Sequence, residues 1–274
     1  MTALSVRDAL AAARASGVDG LDAQLLLARC LDQPRSWLIA HDDTLLTPPQ
    51  ADRYRAWLAR RAAGEPLAYL FGEKEFHGLR LQVDPRVLVP RPDTETLVDW
   101  ALELLALRAD SAPRVIDLGT GSGAIALALK HAARHAEVTA LDASEDALAV
   151  ARANAARLAL NLRFRCGHWW SAVPGERFDI AVSNPPYIAL GDAHLTALAH
   201  EPAMALASGV DGLDALRHII ELAPAHLRQG GWLLLEHGHD QGDAVSALLL
   251  QRGFAQVESR RDLPGHWRCT GAQV

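Results

Sequence analysis

Residues 114–123 read Arg114-Val115-Ile116-Asp117-Leu118-Gly119-Thr120-Gly121-Ser122-Gly123, a short apolar strand followed by a turn in which every second residue is glycine. The segment that follows, about 123–131, has the periodicity of a helix. A strand, a glycine-rich turn and a helix in this order allow the backbone to approach a ligand at the carboxyl edge of a parallel sheet. A glycine turn alone is a weak indication, because structural turns between strands and helices also use glycine.

Strand and helix patterns alternate after this stretch, which predicts a mostly parallel sheet with helices on its faces. Two last strands, near 256–262 and 266–272, are too close together for a helical crossover and predict an antiparallel pair. The expected fold class is α/β, a seven-stranded Rossmann-like sheet with an antiparallel terminal hairpin. The other predicted strands are 114–118, 137–141, 162–166, 178–183 and 232–236, with helices near 93–108, 123–131, 144–159, 212–227 and 240–251.

The first 70 residues have helical periodicity and predict a small domain of three to five helices. Ser5, Asp22 and Thr47-Pro48 are the expected helix starts. The run Leu79-Arg80-Leu81-Gln82-Val83 alternates apolar and polar residues, which predicts a connecting strand or hairpin. We therefore expect a helical docking domain at 1–74, a hairpin connector at 75–92 and the α/β domain at 93–274.

Composition narrows the class of protein. Half of the 274 residues are hydrophobic, yet no apolar run approaches the roughly 18 residues of a membrane span. Arg7, Asp8 and Arg14 interrupt the Ala-rich start, so we expect a cytoplasmic protein rather than a secreted one. Three widely separated cysteines favour free thiols and predict no metal site. The formal net charge of −6 argues against a protein that depends on phosphate neutralisation.

The spacing G-x-G-x-G, unlike G-x-G-x-x-G, favours a ligand without a pyrophosphate, and S-adenosylmethionine is such a ligand. The next predicted strand ends at Asp142, where a carboxylate can accept hydrogen bonds from both hydroxyls of a ribose. Asp142 could instead cap the following helix, although Ser144 is available for that role. The ring of Trp169 could cover an adenine, or Trp169 and Trp170 could both be core residues. The predicted cofactor contacts are Gly119, Thr120, Gly121, Ser122, Gly123, Asp142, Trp169 and Asn184.

The fourth strand of the sheet leads into Ser183-Asn184-Pro185-Pro186-Tyr187, which points to a specific chemistry. Two prolines make the loop rigid and leave its carbonyl groups without local partners. A planar nitrogen with a delocalised lone pair attacks a methyl sulfonium poorly until acceptors hold its hydrogens, and the Asn184 side-chain oxygen and Pro185 carbonyl could do so. Tyr187 could pack over the target, or simply line the core. We expect Asn184, Pro185 and Tyr187 to be catalytic and Pro186 to join them in substrate binding.

Several motifs together resemble the HemK/PrmC family of release factor glutamine methyltransferases, over nearly the whole chain. They are Gly64–Leu70, Arg91–Glu95, Asp117–Gly123, Ser183–Ile188, Glu201-Pro202, Leu233–Gly238 and Arg261–His266. Three departures from the family pattern are His168 in place of an acidic residue, Ala199-His200 in place of an Arg-containing pair, and Trp267-Arg268-Cys269 in the last strand.

The resemblance implies transfer of a methyl group to the glutamine amide of the Gly-Gly-Gln motif in class 1 peptide chain release factors, with the helical domain docking the release factor. Direct contact with nucleic acid, membrane binding and oligomerisation are not expected. An adenine amino-group methyltransferase would use a similar loop, but it would need a basic groove. An idle protein that binds S-adenosylmethionine and only holds a release factor is a second alternative, against which the intact Asn184 and glycine turn argue.

Overall fold

The computed structural model describes residues 4–108 and 112–274. The chain forms two compact units, residues 1–72 and residues 73–274. The predicted hairpin belongs to the second unit, directly after the boundary. In the described ranges, no helix is both long and apolar enough to cross a membrane.

Residues 4–72, the described part of the first unit, contain five helices, within the predicted number. Ser5 caps the first helix, since its hydroxyl accepts from the Asp8 backbone N–H, and Thr47 begins the fourth with Pro48 in the first turn. The prediction for Asp22 was wrong: Asp19 caps the second helix by accepting from the Leu21 backbone N–H at 2.8 Å, whereas Asp22 lies inside the helix. The helices are α1 Val6–Ala15, α2 Gly20–Leu31, α3 Arg35–Ala40, α4 Pro48–Ala62 and α5 Leu67–Phe71.

The second unit opens with an antiparallel hairpin of two strands and continues as alternating strands and helices. A 3-10 turn, Pro92–Thr94, leads into the first helix of this unit. The elements in chain order are β1 Glu73–Phe76, β2 Leu79–Gln82, α6 Glu95–Ala106, β3 Arg114–Leu118, α7 Ala124–Ala132, β4 Glu137–Asp142, α8 Glu145–Arg157, β5 Arg163–Cys166, β6 Phe178–Ser183, α9 His194–Ala197, α10 Asp214–His226, β7 Leu227–Glu236, α11 Gly242–Gln251, β8 Ala255–Arg261 and β9 Trp267–Gln273.

Seven strands form one sheet in the order β5-β4-β3-β6-β7-β9-β8. Strands β3 to β7 pair in parallel, and β9 pairs antiparallel with both β7 and β8. This confirms the predicted fold class. Strand β7 begins at Leu227, five residues before the predicted start at 232, because Leu227 pairs with Phe178 of β6.

Helices cover both faces of the sheet. Along β3, Val115 packs into the core on one face, while Ile116 and Leu118 pack into the core on the other. This alternation follows from the two-residue period of a strand whose two faces are both buried. The largest buried side chains are Trp100 in the first core and Trp170 in the second. A sheet held from both faces positions the loops at its carboxyl edge.

Candidate functional site

The strand order brings three loops together at one edge of the sheet. Leu118, which ends β3, pairs with Leu141 of β4 on one side and with Ser183 of β6 on the other. The buried Ser183 hydroxyl also donates to the Leu118 carbonyl oxygen at 2.6 Å. The glycine turn, Asp142 and Asn184 therefore each follow directly after one of these three paired residues.

The glycine turn has the backbone geometry that only glycine adopts without strain. Gly119, Gly121 and Gly123 have φ angles of 78°, 55° and 85°. A Cβ atom at Gly123 would come within 2.9 Å of Leu127 Cδ1, whereas one at Gly121 would meet nothing within 4 Å. The turn is thus packed closely against α7 at its end and open at its centre.

The side chains within this turn face inward. Thr120 and Ser122 are buried, at 5% and 3% exposure, and neither lines the cavity beside the turn. The Thr120 hydroxyl donates to Asp117 Oδ2 at 2.6 Å. Burial raises the pKa of Asp117 to about 7, against the hydrogen bonds from Thr120 and the Ala126 backbone.

Asp142 binds the glycine turn, and Ser144 rather than Asp142 caps the following helix. Its Oδ2 accepts from the Gly121 backbone N–H at 2.8 Å, and its Oδ1 accepts from the Ser144 backbone N–H at 2.9 Å. Burial raises the pKa of Asp142, and these two hydrogen bonds oppose that rise. Ser144 is the cap of α8 and accepts from the Ala147 N–H. The carboxylate therefore connects the glycine turn to the start of α8.

The two tryptophans after β5 have different surroundings. Trp170 is 1% exposed, donates from Nε1 to the Ile219 carbonyl at 2.9 Å and stacks on His226, so it belongs to the core. Trp169 has a left-handed backbone with φ of 48° and lines the cavity. Its ring lies so close to Gly119 that a Cβ there would be 3.3 Å from Cζ3.

Two cavities meet at Asn184. The larger has a volume of about 340 Å³, and among its lining residues are Gly119, Gly121, Asp142, His168, Trp169, Asn184 and Pro186. The smaller, of about 70 Å³, is lined by Leu88, Arg91, Asn184, Pro185, Tyr187, Ile188, Leu198, Ala205 and Leu206. Asn184 lines both spaces, as do Leu88 and Ala205.

Hydrogen bonds hold the Asn-Pro-Pro-Tyr loop in place. Asn184 Nδ2 donates to Thr94 Oγ1 at 3.2 Å, while the Tyr187 hydroxyl faces Glu236 Oε1 at 3.3 Å. The Tyr187 carbonyl accepts from Gln241 Nε2 at 3.0 Å. Burial raises the pKa of Tyr187 well above its ordinary value, so the hydroxyl stays protonated at neutral pH.

Three further residues, which were not predicted as site residues, support the site. Asn154 of α8 accepts from the Gln82 backbone N–H at 2.7 Å and donates to the Ser122 carbonyl at 3.0 Å, which links the hairpin to the glycine turn. Glu201 accepts from the Val89 N–H and pairs with Arg91. Arg91 and Glu201 lie in stretches that carried the family resemblance, whereas nothing near Asn154 in the sequence indicated its role.

The sheet topology, the glycine turn after the first parallel strand, the acidic end of the second and the Asn-Pro-Pro-Tyr loop after the fourth together define a Rossmann-like class I methyltransferase. A solved methyltransferase from Pyrococcus furiosus has this fold, with a TM-score of 0.54 at 21% identity over 81% of this chain and 98% of that one. Residues 5–72 match the family described as PrmC N-terminal domain, and residues 94–209 match the methyltransferase small domain.

Curated relatives give a narrower assignment. A release factor glutamine methyltransferase of Bordetella pertussis is 50% identical over 261 residues, 94% of this chain and 96% of that protein. Another, from Pseudomonas aeruginosa, is 50% identical over 256 residues, 92% of each chain. The chain belongs to the family of release factor glutamine methyltransferases, as the sequence motifs predicted.

Proposed function

We propose that this chain is an S-adenosylmethionine-dependent protein-(glutamine-N5) methyltransferase. Its target is the side-chain amide of the glutamine in the Gly-Gly-Gln motif of class 1 peptide chain release factors. The observation that carries the proposal is that Asn184, in the Asn-Pro-Pro-Tyr loop, lines both a larger and a smaller cavity. The larger cavity would hold the cofactor, and the smaller would admit the glutamine side chain.

The residues around the larger cavity fit S-adenosylmethionine. Gly121 leaves room for a ligand against the backbone, because a Cβ there would meet nothing within 4 Å. Asp142 has carboxylate lone pairs for ribose hydroxyls, and Trp169 offers a ring face for the adenine. Thr120, Ser122 and Gly123 would act through the shape and backbone of the turn, since the two side chains are buried. When bound, the cofactor supplies an electrophilic methyl sulfonium.

Asn184 and Pro185 would orient the target nitrogen. An amide nitrogen shares its lone pair with the carbonyl, so it is a poor nucleophile in its planar form. The Asn184 side-chain oxygen and the Pro185 carbonyl can each accept a hydrogen bond from one N–H of the glutamine NH₂, which turns the nitrogen lone pair toward the larger cavity. Pro186 lines the larger cavity and makes the loop rigid. Tyr187, which stays protonated, contributes packing rather than base catalysis.

The proposed partner and place of action follow from the substrate. Class 1 release factors act in translation, so we place the enzyme in the cytoplasm. The helical unit, residues 1–72, is proposed to dock the release factor. The net charge of −6 supports a protein substrate rather than a nucleic acid. The expected monomeric state stays a prediction.

The test is to incubate the protein with methyl-labelled S-adenosylmethionine and one of three acceptors: a purified class 1 release factor, its Gln-to-Ala variant at the motif, or duplex DNA. We expect label on the unchanged release factor only. Asn184→Ala should lower turnover roughly 100-fold or more with cofactor affinity nearly unchanged, because the lost acceptor acts on the reacting nitrogen. Label on DNA, or equal label on the Gln-to-Ala release factor, would refute the proposed function.

A further inference from the structure

Two buried polar residues that contact the Asn-Pro-Pro-Tyr loop line neither cavity. Thr94 is 4% exposed and Glu236 is 1% exposed, and neither lines the larger or the smaller space. Thr94 lies in the turn before α6, and Glu236 is the last residue of β7. They lie in the stretches Arg91–Glu95 and Leu233–Gly238, which resemble the family but have no role in the chemistry above.

Both residues contact the Asn-Pro-Pro-Tyr loop. The Thr94 hydroxyl oxygen accepts from Asn184 Nδ2 at 3.2 Å, and the Tyr187 hydroxyl donates to Glu236 Oε1 at 3.3 Å. Interaction with the Thr94 side chain lowers the pKa of the Glu236 carboxyl. Among the residues that the structure describes, Glu236 Oε2 has no hydrogen-bond partner. Glu236 therefore contacts the loop at Tyr187, and Thr94 contacts it at Asn184.

The chemistry of these groups sets the direction of the hydrogen bonds. A threonine hydroxyl has one hydrogen to donate, and a carboxylate can only accept. If Thr94 donates its hydrogen toward Glu236, its oxygen presents a lone pair to Asn184. The amide of Asn184 must then turn Nδ2 toward Thr94, which leaves its oxygen facing the opposite way.

We propose that Thr94 and Glu236 are positioning residues that hold the Asn184 amide with its oxygen toward the target glutamine. This inference rests on the proposed function. With the amide reversed, an N–H group would meet the N–H groups of the glutamine, and two donors cannot form a hydrogen bond. Glu236 also holds the Tyr187 hydroxyl, so the carboxylate orients both ends of the loop.

The charge of Glu236 gives this arrangement a pH dependence. Burial raises the pKa of Glu236 to about 7, and Asp93 acts in the same direction, while Thr94, Arg268 and Tyr187 oppose the rise. Burial also raises the pKa of the neighbouring Cys269 well above its ordinary value, so that thiol stays neutral. Below about pH 7 the carboxyl group is protonated and can donate, which removes the fixed direction. We expect turnover to rise as the pH increases through this value.

The test compares Thr94→Val, Thr94→Ser and Glu236→Gln with the unchanged protein, using the release factor as methyl acceptor. Thr270→Val is the matched control, because Thr270 is also a buried threonine with side-chain hydrogen bonds, made to His237 and Ser259. We expect Thr94→Val and Glu236→Gln to lower kcat about tenfold, the effect of one lost hydrogen bond, with the Kd for S-adenosylmethionine nearly unchanged. Thr94→Ser should restore most of the turnover, and Glu236→Gln should abolish its rise near pH 7.

Several outcomes would overturn the inference. One is a kcat for Thr94→Val equal to that of Thr270→Val, and another is a parallel loss of turnover and cofactor affinity. Thermal melting followed by circular dichroism identifies the folded variants, and the Thr94 pair decides the matter if Glu236→Gln does not fold. An unchanged protein that leaves the release factor unlabelled would instead refute the proposed function, and this inference with it.

Discussion

Replacing Asn154 with alanine should destabilise the α/β unit and loosen the glycine turn. The Asn154 side chain is completely buried in α8 and makes three hydrogen bonds with backbone groups. Two bind the N–H and carbonyl of Gln82 at 2.7 and 2.9 Å, and one binds the Ser122 carbonyl at 3.0 Å. Alanine would leave all three backbone groups without this partner. At about 1 kcal/mol for each hydrogen bond, Asn154→Ala should lower the free energy of unfolding by roughly 2–4 kcal/mol.

Thermal melting measures this effect. For a unit of this size, roughly 2–4 °C is lost per kcal/mol, so we expect the Tm of Asn154→Ala to fall by about 5–15 °C. Asn161→Ala, which changes an exposed asparagine in the same unit, is the control and should leave the Tm nearly unchanged. Cofactor affinity should also decrease, since the Ser122 carbonyl is released. A Tm within about 2 °C of the control would refute the claim that Asn154 holds the hairpin and the turn together.

Three further predictions concern the glycine turn and its neighbours. Gly123→Ala should lower the free energy of unfolding, measured by urea titration, by about 1–3 kcal/mol. The reason is that φ is 85° at this position and the new Cβ would lie 2.9 Å from Leu127 Cδ1. An unchanged free energy of unfolding would contradict the close packing. Asp142→Ala should weaken S-adenosylmethionine binding at least roughly tenfold in calorimetric titrations, through the loss of a charged acceptor, and an unaltered Kd would argue against a ribose contact. Asp117→Asn should change how the stability depends on pH. Between the ordinary pKa of 3.8 and the pKa of about 7 in the folded protein, the Asp117 carboxyl is protonated in the folded state but ionised in the unfolded state. The Tm of the unchanged protein relative to Asp117→Asn should therefore fall as the pH rises from about 4 to 7, and a constant difference would show that Asp117 is ionised throughout.

Much of the fold could be predicted from local patterns. Val115 and Ile116 face opposite cores because side chains alternate along a strand, and the apolar run between an arginine and a glycine turn is typical of a doubly covered strand. The start of β7 could not be predicted, because Leu227 joins the strand only through pairing with Phe178. The cap of α2 was assigned to the wrong aspartate, since Asp19 and Asp22 have similar local sequence and only the backbone conformation distinguishes them.

The positions of Asp142 and Asn184 could be predicted because the ends of the strands before them could be predicted. Asp142 and Asn184 follow parallel strands, so their approach to the glycine turn follows from the sheet order. Trp169 rather than Trp170 was the predicted cofactor contact, and Trp169 does line the larger cavity whereas Trp170 lies in the core.

The sequence by itself determined the order of the sheet strands along the chain, the position of the glycine turn and the chemistry available to Asn184-Pro185-Pro186-Tyr187, since these depend on residue type and short-range periodicity. Only the tertiary structure decided which groups hold that loop. Thr94 is 90 residues away from Asn184 in the chain, and Glu236 is 49 residues away from Tyr187. These contacts form because β6 and β7 are neighbours and the turn before α6 packs beside their ends. Hydrogen bonds over such separations depend on strand order and burial, which no local pattern specifies.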